Sequence, residues 1–102
     1  MEENSWYSRY HFSVTCHTSD VAVMFCLRGL SEWAEEGRFA NIGRGGTTRG
    51  DWKQSGGKST FRFTDPAYRQ RFLEKASELL STRWAVVEQS DDDPAYRIGK
   101  PH

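Results

Sequence analysis

The sequence has little cysteine, no long apolar run and no net charge, and each shortage removes a class of protein. Two cysteines in 102 residues, Cys16 and Cys26, do not frame a disulfide scaffold. No Cys-x-x-Cys or His-x-x-x-His pair offers the close-spaced ligands of a structural zinc site. The longest apolar run, Val21 to Leu27, falls far short of the ~20 residues of a membrane-spanning helix. The start, Met1-Glu2-Glu3-Asn4-Ser5, is acidic and polar where a secretory signal needs a basic and then an apolar stretch. A cytoplasmic protein, with no membrane partner, is the expectation. Lys and Arg balance Asp and Glu at fourteen each, which argues against sequence-independent coating of nucleic acid.

What is present is aromatic surface. Four Trp, four Tyr and six Phe make up for a low apolar share, since each buries a large area. The length suits a single α+β domain over residues 1–90, with an acidic, frayed tail over residues 91–102.

Alternation from Tyr7 to His17 predicts a strand with Tyr10, Phe12, Val14 and Cys16 inward and Arg9, His11, Ser13, Thr15 and His17 outward. Thr18-Ser19-Asp20 offers caps for a helix reaching Glu36, with Val23, Cys26, Leu27, Leu30, Trp33 and Ala34 on its inner side. Arg38 to Ile42 reads as a short second strand. Gly43 to Gly57 holds six of the nine glycines and reads as a long mobile connection. Ser59 to Thr64 alternates again, with Phe61 and Phe63 inward. Asp65-Pro66 pairs an N-cap with proline at the first helical position, and Tyr68, Phe72, Ala76, Leu79 and Leu80 continue a helical stripe. Arg83 to Gln89 completes a fourth strand. The order β-α-β-β-α-β predicts a ferredoxin-like split βαβ fold, an antiparallel sheet with two helices on one face and a long hairpin loop in its middle.

Three sequence motifs weaken on inspection. Gly56-Gly57-Lys58-Ser59 resembles a phosphate loop, but Trp52 stands where the first glycine is required and a strand follows instead of a helix. The predicted topology is that of an RNA-recognition domain, yet Phe61 and Phe63 point inward, leaving Thr60 and Arg62 on the open face. His11-Phe12-Ser13 and His17-Thr18-Ser19 resemble half of the paired motif of 2H phosphoesterases, but both lie on one strand. Cys16 and Cys26 read as apolar core filler.

The basic segment from Arg38 to Arg62 survives. It carries six basic residues and one acid, Asp51, a net charge of plus five. Arg44, Arg49, Trp52, Lys53, Lys58 and Arg62 are the candidate partner-binding residues, with Phe25 on the polar side of the first helix as a second contact. The expectation is a non-enzymatic protein, without metal or other cofactor, that docks on an acidic protein surface. A nucleic-acid-binding module using the same loop and a small hydrolase using His11 or His17 are the alternatives. In size and architecture the chain resembles the small ferredoxin-like inhibitors of phage and mobile elements, anti-CRISPR proteins among them. That resemblance implies a protein partner in host machinery.

Overall fold

A computed structural model describes residues 9–36 and 49–95. Three strands form one antiparallel sheet: β1 (Phe12–His17), β2 (Lys58–Phe63) and β3 (Ala85–Ser90). Their order is β2-β1-β3, so the first strand is central. β1 meets β2 in unbroken register, from Phe12 opposite Phe63 to His17 opposite Lys58. Against β3 the register slips between Thr15 and Cys16, which pair with Glu88 and Val86 and leave Val87 as the extra residue of a bulge.

The alternation decides which face is dry. Val14, Cys16, Phe61 and Phe63 lie on the inner face, each at most 1% exposed, as the period of two requires. On that face pack α1 (Val21–Ala34) and α3 (Pro66–Leu80), which also contact each other. Phe72 of α3 sits at the centre, its ring 5.4 Å from those of Phe61 and Phe63 and 6.5 Å from that of Trp84. Burial of Cys16 pushes its thiol up to about 12, so it behaves as an apolar group.

Both long helices begin as the sequence indicates. The Asp20 carboxylate accepts from the Ala22 and Val23 amides, and the Asp65 carboxylate accepts from Ala67 ahead of a helix with Pro66 in its first turn. Glu35 follows α1, buried rather than solvated with its acidic neighbours. Its carboxylate accepts from the Thr64 amide at 2.6 Å and from the Thr64 hydroxyl, tying the end of α1 to the start of α3.

Several expectations need correction. The expected strand from Tyr7 starts only at Phe12, although Tyr10 is buried all the same. Cys26 and Trp33 are exposed, not in the core. At about 100° per residue Cys26 lies about 100° and Trp33 about 120° around the helix from buried Leu27, too far to reach the sheet. The connection from Gly43 to Gly57 is not all irregular, for a short helix, α2 (Arg49–Gln54), occupies its second half. Of the acidic tail, residues 91–95 are described: the Asp93 amide donates to the His11 carbonyl and the Ala95 amide to that of Tyr10. The strand expected over Arg38–Ile42 lies outside the described residues. The fold is therefore α+β with a three-stranded antiparallel sheet among the described residues.

Candidate partner-binding surface

The basic segment is held where it meets the end of β1, and Thr18 is the fixing point. Its amide donates to the Gly57 carbonyl at 3.0 Å and its hydroxyl to the Arg83 carbonyl at 2.9 Å. Its own carbonyl accepts from the Trp52 indole at 3.0 Å. Gly57 donates back to the Trp52 carbonyl at 2.9 Å, closing the turn after α2. Gly57 has φ +91°, and a Cβ there would stand 2.6 Å from the Thr18 carbonyl oxygen, so only glycine fits.

Trp52 is consequently 7% exposed. The sequence leaves open whether this ring folds back or waits for a partner. It folds back, and a base or a partner side chain has no ring face there to stack on. Its role is to anchor, a role signalled by the need of an indole N–H for an acceptor once the ring is buried.

The cations divide into two sets. Lys53, in the last turn of α2, and Lys58, at the start of β2 opposite His17, are exposed. Neither has an ion-pair partner among the described residues. Arg62 belongs to a different environment. Its side chain is 11% exposed, and its guanidinium donates from Nε to the Asp93 carbonyl at 2.8 Å and pairs with the Asp93 carboxylate at 3.1 Å. Arg69 is held similarly, bridging the Ser13 and Ser90 carbonyls and pairing with Asp91 at 2.7 Å. The acidic run thus meets two arginines of the same domain, pairings that no local pattern signals. Without Arg62 the sequence of the segment counts five basic residues and one acid, a formal plus four. Arg44 lies outside the described residues, and Arg49 opens α2.

Phe25 is 50% exposed on the outer side of α1, with the Arg28 guanidinium 5.9 Å from its ring centre. It does not adjoin the Trp52 anchor in sequence or on the same element. It belongs instead to a row with Ala22, Cys26, Gly29 and Trp33, all exposed.

The histidines are not brought together. His11 and His17 stand six positions apart along an extended chain, roughly 20 Å at about 3.3 Å per residue. The His11 Nδ1 lies 2.7 Å from the Asp91 carbonyl oxygen, so this ring nitrogen is engaged with backbone rather than with a carboxylate. His17 lines an open cavity of about 220 Å³ with Ser19, Thr82 and Arg83, and Arg83 pairs there with Asp20 at 3.3 Å. No group of three or more His, Cys, Asp or Glu side chains is placed to hold a metal among the described residues. No helix there is long and apolar enough to cross a membrane.

No protein-family model matches the chain, and comparison with curated proteins and with solved structures finds no match either.

Proposed function

We propose that this domain is a non-enzymatic binding protein whose basic segment docks on an acidic surface of a protein partner. One observation carries the reading: Trp52 is buried against Thr18, so the exposed Lys53 and Lys58 are presented from a fixed turn rather than from a mobile loop. A positively charged surface ordered before it meets its partner loses less entropy on binding. Arg44 and Arg49 belong to the same basic segment of the sequence. The buried indole removes the stacking group that a single-stranded nucleic-acid site would use, so a protein partner ranks first. Inhibition of host machinery in the manner of anti-CRISPR proteins is the form of binding that a phage or mobile-element origin would give it.

We read the sheet as three strands of a ferredoxin-like split βαβ fold, in which the first strand lies between the third and the fourth. Arg38–Ile42 would then be the missing strand, beside β2.

The test is capture of partners from the native host with wild type, with an Arg44, Arg49 and Lys53 triple alanine variant, and with Lys53→Glu/Lys58→Glu. Charge reversal is expected to reduce partner recovery about tenfold or more while the far-ultraviolet circular dichroism is unchanged. Recovery equal to wild type from both variants would reject the reading. Salt titration of the complex then distinguishes the partner class, since phosphate contacts give a much steeper logarithmic slope.

A further inference from the structure

The basic turn has a cavity beside it. About 220 Å³ of space opens between the end of β1, the residues that lead into α1 and the start of β3. Thr18 is in its wall, the same residue whose carbonyl accepts from Trp52 and whose amide donates to Gly57. The Thr18 hydroxyl donates to the Arg83 carbonyl, so one residue holds both the turn that presents Lys53 and Lys58 and the chain that lines the cavity. The sheet joins them as well. His17 stands opposite Lys58 on one side and Ala85 on the other, which sets the facing Cβ atoms about 4.5–5.5 Å apart.

The polar side chains in the wall are donors. His17 has a ring N–H in either tautomer, Ser19 and Thr82 have exposed hydroxyls, and the Arg83 guanidinium has five N–H groups. The side chains of His17, Ser19 and Thr82 have no hydrogen-bond partner among the described residues. Arg83 reaches Asp20 at 3.3 Å, but the two side chains are 69% and 41% exposed. Such a solvated pair contributes little and takes one donor of the five. The Asp20 carboxylate is itself committed, its Oδ1 accepting from the Ala22 and Val23 amides. Glu88 stands opposite Thr15, one row farther along the sheet, and is not in the wall.

One permanent positive charge among neutral donors matches a group with one negative charge and acceptor oxygens. The volume lies below the about 300–1,000 Å³ of a small-molecule site, so it suits a single side chain of a larger partner. We propose that this cavity receives an aspartate or glutamate side chain of the protein partner, with Arg83 donating to the carboxylate and Lys53 and Lys58 meeting the acidic surface around it. It rests on the docking role proposed for the basic turn, and it adds Arg83 as the anchor.

Two measurements test this, and only the second depends on the basic turn. Acetate, which carries the side-chain group of aspartate, is titrated into ¹⁵N-labelled protein against chloride at constant ionic strength. Saturable shifts are expected at His17 to Asp20 and Thr82 to Ala85, with half-saturation at about 10–100 mM and at least about fivefold weaker binding in Arg83→Gln. Shifts that do not saturate, or that Arg83→Gln leaves unchanged, overturn the proposal. Tighter binding of dimethyl phosphate than of acetate gives the cavity to a nucleic-acid backbone and overturns it too. In capture from the native host, Arg83→Gln should lower partner recovery about tenfold with an unchanged circular dichroism spectrum, while Lys75→Gln, which removes one charge from α3, should leave recovery as it is. Equal losses from the two variants would reduce the effect to net charge and overturn the cavity's role. Loss on Lys53→Glu/Lys58→Glu without loss on Arg83→Gln overturns the cavity alone. Loss on Arg83→Gln without loss on charge reversal keeps the cavity and rejects the basic turn.

Discussion

The two long helices lie on the same face of the same sheet, are of nearly equal length, and treat water in opposite ways. α3 turns Phe72 and Ala76 inward and presents Gln70, Glu74, Ser77 and Glu78 outward, with Leu79 as its exposed apolar exception. α1 buries an equivalent stripe but turns Phe25, Cys26, Gly29 and Trp33 to the outside. The inner stripe holds a helix to the sheet, and among the described residues the outer row of α1 reaches its own domain chiefly through Trp33, whose ring lies 4.2 Å from the Arg71 guanidinium. The difference separates residues the fold requires from residues available to another molecule.

The strongest way to break that comparison is through the inner stripes, where the two helices should behave alike. Phe72→Ala is expected to cost about 3–5 kcal/mol and Leu27→Ala about 2–5 kcal/mol in urea denaturation. A Leu27→Ala cost below about 1 kcal/mol would mean that α1 is not part of the core. A smaller effect concerns the joint between the helices. Glu35→Ala leaves the Thr64 amide without its acceptor and should cost about 1–3 kcal/mol, with most of the loss recovered by Glu35→Gln, which keeps a carbonyl oxygen there.

The gentlest measurement leaves the protein intact. Cys26 on the outer row should react with a thiol reagent at pH 8 at the rate of a free thiol, whereas Cys16 should react only as fast as the domain unfolds. The Cys16 thiol stays protonated to about 12 in the folded chain against a usual 9.0. Because the folded value is the higher one, its stabilising contribution is complete below pH 9.0 and is lost as pH rises towards about 12. Rapid labelling of both thiols would mean that the inner face of the sheet is open to water.

Much of the architecture was legible because local rules fix it. The Asp20 and Asp65 caps, the inward Val14, Cys16, Phe61 and Phe63, and the stripe through Phe72 follow from capping chemistry and from periods of two and 3.6. Features set by long-range pairing were not. Arg62 reads as one of the available cations of the basic segment until Asp93 comes beside it thirty-one residues later, and nothing local marks Arg69 as the partner of Asp91, twenty-two residues on. Glu35 stands in an acidic cluster, and nothing local marks it as the one that Thr64 will bury. Glycine content suggested mobility around Trp52, but one indole with one acceptor outweighs it. Of the candidate surface, Lys53 and Lys58 are exposed, while Trp52 turns inward and Arg62 is taken up by Asp93, for reasons of partnership that composition does not encode.

The central strand has a consequence for the order in which this chain can be made. β1 is the earliest strand in the sheet, yet both of its neighbours come later, and one, β3, runs only from Ala85 to Ser90. The backbone bonds from Asp93 and Ala95 to His11 and Tyr10 close the circuit later still. During synthesis, β1 must therefore wait with one edge unmatched until nearly the whole domain has left the ribosome. Its completion is a single late event, with a loop closure spanning almost the full described chain.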